Sequence, residues 1–267
     1  MLRNWAEELE ARVAWIRKII GKTETAPGMG IVYGNSGGKD CTLAAILCRK
    51  ATDNILGVIM PCQSSVNFGT DREHALLAAK QFGIPTFQVD LSDVKALFLE
   101  ALTPVLDPST APELTGTARV NETAFSPENA QKAIMNINPR LRMTTLYALA
   151  QARGALVCGT GNRSEMAMGY FTKWGDGAFD FDPIADLTAT EVFEFLRFLG
   201  APREIIEKAP SAGLFEGQTD EDEMGIRYAE IDEFLLYGTG DPEKTAKVQR
   251  VMNATAHKRQ MPPKYGS

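Results

Sequence analysis

The stretch from Met29 to Cys48 constrains this chain more than any other. An apolar run, Met29 to Tyr33, reads as a short buried strand. It leads into Gly34-Asn35-Ser36-Gly37-Gly38-Lys39-Asp40-Cys41-Thr42 and then Leu43-Ala44-Ala45-Ile46-Leu47-Cys48, which reads as a helix. Strand, glycine turn and helix make an anion-binding arrangement. Glycines let a ligand approach the backbone, and the first free N–H groups of the helix point at whatever sits there. The loop therefore grips a phosphate. A Walker A loop is excluded, because Gly38-Lys39 is followed by Asp40 and Tyr33 stands where the first glycine belongs. A dinucleotide fingerprint is excluded too: Gly28-Met29-Gly30 lies at the start of the strand, and Tyr33 fills the third glycine position.

The rest of the chain alternates in kind. Trp5, Leu9, Val13, Ile16 and Ile20 form one stripe of an opening helix that stops at Gly21. Ile55 to Pro61 is a second strand, and Asp71 is expected to cap a helix ending near Gly83. Thr86 to Asp90 is a third strand, with Ser92 capping the next helix. From Thr103 to Pro127 prolines among small polar residues predict a loop, of the long kind that carries function. A helix resumes at Glu128 and breaks around Pro139, before another from Leu141 to Arg153. Ala155 to Gly159 is a fourth strand. Such alternation predicts an α/β fold, a doubly wound parallel sheet with helices on both faces. Ligands of these sheets bind beyond the carboxyl ends of the strands, so Thr160-Gly161-Asn162-Arg163-Ser164-Glu165 should meet the first loop.

Farther on, Gly169 to Asp180 and Ser211 to Gln218 lack periodicity, whereas Thr188 and Glu191 make a capping box for a helix reaching Leu199. Pro202 to Lys208 reads as a short helix. The acidic run Asp220 to Glu223 reads as a solvated first helical turn favoured by the helix dipole, with a metal site as the alternative. Asp241-Pro242 caps a last helix that ends by His257-Lys258-Arg259.

Composition narrows the partners. The 267 residues, 44% of them apolar, can bury a sizeable core, and with no linker in view they are expected to form one domain, 1–267. A net charge of −6 gives no basic footprint for nucleic acid or an anionic membrane. No apolar run approaches the roughly 20 residues a membrane helix needs, and Trp5, Glu7, Glu8 and Glu10 do not make a signal peptide, so a cytoplasmic location is expected. Cys41, Cys48, Cys62 and Cys158 contain no C-x-x-C pair and His74 lies far from His257, which argues against zinc and for reduced thiols.

Ser36-Gly37-Gly38-Lys39-Asp40 resembles the pyrophosphate loop of the N-type ATP pyrophosphatases. Arg140-Leu141-Arg142-Met143, Gly159 to Glu165, Gly169 to Asp180, Lys208 to Leu214, Gln218 to Glu221 and His257-Lys258-Arg259, in that order, extend the resemblance over nearly the whole chain to the ammonia-dependent NAD synthetases. That resemblance implies an adenine nucleotide hydrolase-like fold and a ligase that makes a C–N bond. ATP would activate the carboxylate of deamido-NAD as an acyl adenylate, releasing pyrophosphate, and ammonia would then give NAD and AMP. It implies Mg²⁺ on Asp40 and Glu165, since that ion takes one or two carboxylates plus phosphate oxygens. It places ATP on Gly34, Asn35, Ser36, Gly37, Gly38, Lys39, Asp40, Cys41, Thr160 and Ser211, and deamido-NAD on Arg140, Lys173, Asp180, His257 and Lys258.

Asp176, in the glycine-flanked turn between Lys173 and Asp180, is the candidate to bind ammonium and accept its proton. A homodimer is expected, with the helices around Leu141 to Leu149 and Trp5 to Ile20 offering apolar surface. Free ammonia is the expected nitrogen donor, because no residues are left over for an amidase domain. Two departures stand out. The family usually has Ser or Thr where this chain has Cys41, and Thr42 is the residue that would compensate. The family also commonly has a Lys at the position of Ala189 and an uncharged residue at that of Lys39, so one positive charge is expected to have moved across the triphosphate. Two rivals remain. Another ATP pyrophosphatase, such as a tRNA-thiolating enzyme or the synthetase half of GMP synthetase, shares the loop. A nucleotide-binding protein without turnover would fit the two departures.

Overall fold

The computed structural model describes residues 3–62, 69–106, 126–208 and 220–266. Its centre is a four-stranded sheet in the order β3-β2-β1-β4, all parallel. The strands are β1 (Gly30–Gly34), β2 (Ile55–Ile59), β3 (Thr86–Gln88) and β4 (Ala155–Cys158). The helices before and between them are α1 (Trp5–Ile19), α2 (Lys39–Ala51), α3 (Thr70–Phe82), α4 (Ser92–Leu106), α5 (Pro127–Met135) and α6 (Ile137–Arg153). After β4 come α7 (Arg163–Met168), α8 (Ala189–Phe198), α9 (Arg203–Ile206), α10 (Asp220–Met224), α11 (Tyr228–Tyr237), α12 (Pro242–Ala254) and α13 (Ala256–Arg259).

Period-two alternation sorts the strand residues onto two faces. Ile31, Tyr33 and Ile55 join Leu43, Ile46 and Leu47 of α2 and Phe195 and Leu196 of α8 in one buried cluster. Val32, Leu56, Val58 and Val157 pack on the other face, against Leu146 and Tyr147 of α6. Full burial of each large apolar side chain is worth roughly 1.5–3 kcal/mol, so these two clusters hold the layers together. The doubly wound reading is thereby met. A third cluster, Met168, Ala189, Ile226, Tyr228, Ile231 and Val248, joins α7, α8, α11 and α12 beyond the end of the sheet. The outer edge of β4 is closed by the chain near Phe181, with Gly159 N–H donating to the Phe181 carbonyl at 2.7 Å and Asp180 N–H to that of Val157 at 2.9 Å.

Several local expectations shift. Asp71 is not a cap: Gly69 is the N-cap of α3, and Asp71 sits in the first turn, paired with Lys208. The break before α6 falls at Asn136, so Pro139 lies in the first turn of α6, where its missing N–H leaves no helical bond unmade. Helix α4 runs on to Leu106, past the expected loop start at Thr103, and 107–125 of that loop lie outside the described residues. The apolar stripe of α1 is used within the chain. Ile16 and Ile20 are fully buried, Trp5, Leu9 and Val13 pack beside them, and the Trp5 ring stacks 4.8 Å from Phe195.

Candidate active site

Strand β1 ends at Gly34, and the backbone then turns under two bonds: Asn35 N–H donates to Val58 carbonyl at 2.8 Å and Asn35 Nδ2 to Ala75 carbonyl at 3.2 Å. Gly37 has φ +74, and a Cβ placed there would lie 2.1 Å from the Asp71 carbonyl oxygen. The loop is thus seated directly on the first turn of α3. Gly38 caps α2 without a side-chain bond, which leaves the first N–H groups of that helix for a ligand. The Cys41 thiol is buried and turned inward, 3.2 Å from Ser36 Oγ and 3.2 Å from the Gly38 carbonyl; burial pushes its pKa up. The Thr42 hydroxyl is buried with no hydrogen-bond partner among the described residues.

Asp40 and Glu165 come together across 125 positions of sequence through one side chain. Asn162 caps α7, accepting from the Ser164 and Glu165 N–H groups, while its own N–H donates to Glu165 Oε2 at 3.2 Å. The Asn162 Nδ2 then donates to Asp40 Oδ1 at 2.9 Å. The capping box that starts a short helix also sets the spacing of two carboxylates. Lys39 lies between them, its ammonium bonded to Asp40 and 3.8 Å from Glu165 Oε1. Solvent reaches Glu165 through the cavity although protein rings it. That desolvation, with the charge of Asp40, holds its carboxyl well above the usual range. Two carboxylates short of positive charge beside a phosphate loop fit a divalent cation, held by Asp40 and Glu165 with phosphate oxygens completing its shell.

The cavity is about 560 Å³, and Ser36, Gly38, Lys39, Asp40, Thr160 and Glu165 are among the residues that line it. Arg142, Asp176 and Lys258 line it too. Arg142 donates to the Met60 carbonyl at 3.1 Å. Asp176 accepts from Thr172 N–H at 2.9 Å, and desolvation raises its carboxyl pKa against the pull of that bond, Arg142 and Lys258. Lys258 donates at 2.7 Å to the carbonyls of Gly169 and Phe171. Arg259 beside it donates at 3.0 Å to the Met166 and Ala167 carbonyls in the last turn of α7. Arg140, Lys173 and His257 gather outside the cavity lining: Arg140 Nη2 lies 3.5 Å from the Lys173 carbonyl, and Lys173 Nζ donates to the His257 carbonyl at 2.7 Å. Asp180 also stays outside it, accepting from Val157 N–H at 2.7 Å and lying 3.3 Å from the Tyr147 hydroxyl. Ser211 lies outside the described residues, as does the expected loop Ser211 to Gln218.

Two acids were not singled out by sequence. Asp220, expected in a solvated turn, is 5% exposed and lies 3.3 Å from the Tyr170 hydroxyl and 3.2 Å from that of Tyr228. Tyr170 also bonds Glu223 at 2.6 Å, so the i, i+3 spacing that puts Asp220 and Glu223 on one helix face was the available signal. Asp182 accepts from Gly161 and Ile184 N–H groups at 2.9 and 3.0 Å, holding the loop that leads to Asn162. Burial pushes its carboxyl up to about 6.

The family profile for NAD synthase matches residues 8–262. The chain is 44% identical to the NH(3)-dependent NAD(+) synthetase of Carboxydothermus hydrogenoformans, over 97% of each chain. Among solved structures, the NMN synthetase of Francisella tularensis superposes with a TM-score of 0.83 at 32% identity, covering 98% of this chain and 99% of that one. The NH3-dependent NAD synthetase of Campylobacter jejuni does so with a TM-score of 0.70 at 26% identity, over 98% and 99%. These neighbours share the adenine nucleotide hydrolase-like fold.

Proposed function

The chain belongs to the NAD synthase family, whose members are C–N ligases, and on that premise we propose that it amidates deamido-NAD with ammonia at the expense of ATP. The observation that carries the reading is the Asn162 bridge, which sets Asp40 and Glu165 side by side at the mouth of the glycine loop. In this proposal the first-turn N–H groups of α2 receive the β and γ phosphates. A divalent cation, when bound, would neutralise charge on the departing pyrophosphate. The deamido-NAD carboxylate attacks the α phosphorus, the bond to the β phosphate breaks, and an acyl adenylate and pyrophosphate result. Ammonia then attacks the acyl carbon and AMP leaves. Asp176 is the acceptor for the proton that ammonia loses, because a carboxylate with a raised pKa is the stronger base.

Arg140, Lys173 and His257, gathered outside the cavity, suit the phosphates of a long dinucleotide that extends out of it. We assign the other half of that site to a second copy. Among the described residues an exposed apolar face is formed by Phe87 on the edge strand and Val94, Leu97 and Phe98 on α4, of which Phe87 and Leu97 are more than 60% exposed. Together with the partly buried Leu141 and Leu149 of α6, it offers the isologous surface a dimer needs. The stripe of α1, spent on the core, is not part of it.

The test is release of pyrophosphate from ATP by the purified protein with ammonium chloride, with and without deamido-NAD. Release that depends on deamido-NAD and yields NAD is expected; release indifferent to it would refute the proposal. The likeness to an NMN synthetase favours one second reading, amidation of the mononucleotide acid. A higher kcat/KM for the mononucleotide in the same assay would select it.

A further inference from the structure

Lys39 is the first residue of α2, a position where the helix dipole favours negative charge. It is nevertheless 6% exposed, with Phe193 of α8 and Tyr228 of α11 around its ammonium at 5.7 and 5.5 Å from the ring centroids. Such placement needs strong compensation, which comes from Asp40 in direct contact, Glu165 at 3.8 Å and the nearby charge of Asp220. The ammonium therefore stands among the oxygens that, on the reading given above, would hold a divalent cation. Two cations cannot both take that position. Like charges repel, and the ammonium uses the Asp40 oxygens the metal would need.

We propose that Lys39 is a built-in occupant of the divalent-cation position, neutralising the Asp40–Glu165 pair and moving onto nucleotide phosphate when metal and nucleotide arrive together. The carboxylate pair is then never left as two bare buried charges, and metal alone is a poor ligand. Metal and nucleotide become coupled ligands, each making room for the other. Lys39 lines the same cavity as Ser36 and Gly38, so a phosphate in the glycine loop lies within its reach. Ala189 fits this arrangement. It stands one turn before Phe193 on the same side of α8, is 1% exposed, and packs in the cluster that contains Tyr228. A lysine there would bring a second ammonium toward the rings that surround Lys39.

The experiment is titration with Mn²⁺, followed by electron paramagnetic resonance, in the absence of nucleotide and with a non-hydrolysable ATP analogue. Wild type should bind Mn²⁺ weakly alone and at least tenfold more tightly with the analogue. Lys39→Met should bind Mn²⁺ alone at least tenfold more tightly than wild type does, and should gain less from the analogue. Lys39→Gln, which keeps a polar tip for Asp40, should behave alike and serves if the methionine variant does not fold. A merely structural lysine would not tighten metal binding when removed. Mn²⁺ affinity unchanged or weaker in both variants overturns the inference, and so does a wild type that binds Mn²⁺ equally with and without the analogue. Asp40→Asn separates the two levels: Mn²⁺ binding with the analogue that survives this change intact overturns the assignment of the carboxylates as well.

Discussion

Substituting Gly37 by alanine tests how the phosphate loop is built. Two terms add. The residue sits at φ +74, where a side chain costs about 1–2 kcal/mol, less a few tenths recovered from the unfolded chain. The new Cβ would also stand 2.1 Å from the Asp71 carbonyl oxygen and 2.9 Å from the Ala75 nitrogen, both backbone atoms of α3. Neither can rotate away, so loop and helix must part by about 1 Å, at a further cost of roughly 1–3 kcal/mol. The expected destabilisation is about 2–4 kcal/mol, or roughly 5–15 °C in melting temperature for a chain of this size. Gly21→Ala is the matched control, because Gly21 has φ +68 but nothing within 4 Å of its Cβ, so it carries the strain term alone. Thermal melting followed by circular dichroism reads stability, and ATP KM at saturating deamido-NAD and ammonia reads the loop. Gly37→Ala should also raise ATP KM at least tenfold. If it melts within about 1 kcal/mol of Gly21→Ala and keeps its ATP KM, the loop is not seated on α3 in the way described.

Asp182, with its carboxyl raised to about 6 by burial, keeps a proton in the folded protein that the unfolded chain has released above about pH 4. Stability from this group is full below that pH and is lost as pH rises to about 6, a swing of up to about 3 kcal/mol. Asp182→Asn should remove that swing from urea-denaturation profiles, and a variant whose profile stays parallel to wild type would contradict it. Above about pH 6 the same variant should still be less stable by about 1–3 kcal/mol, because an amide presents one oxygen where two N–H donors need two. Asp176→Asn should raise the ammonium concentration needed for half-maximal rate without changing ATP KM; an unchanged ammonia dependence would remove its proposed role. Light scattering should give a dimer mass, shifting to monomer in Leu97→Asp, and a monomeric wild type would refute the proposed face.

What the sequence made legible was local. Thr188 with Glu191 and Asp241 with Pro242 start helices as their caps require, because a cap is decided within four residues. The glycine loop was readable for the same reason, and the facing of Thr160 and Glu165 toward it followed from strand topology. Lys39 was not readable in this way. Its neighbours Phe193 and Tyr228 lie more than 150 positions away, and nothing local distinguishes an ammonium facing phosphate from one boxed between rings. Asp220 was misjudged because an acidic first turn satisfies the helix dipole whether or not a tyrosine from another helix covers it.

The bonds of Arg259 to the last carbonyls of α7 carry a consequence for the order of assembly. Glu165 sits on that six-residue helix, too short to persist by itself, and what clamps its far end is synthesised more than ninety residues later. A ribosome releasing this chain has finished the sheet and the glycine loop well before that clamp exists. Until then α7 is held at that end only by its own Gly169 cap. The nascent protein would thus present the glycine loop and the Asn162 bridge before the last clamp on the Glu165 helix is in place.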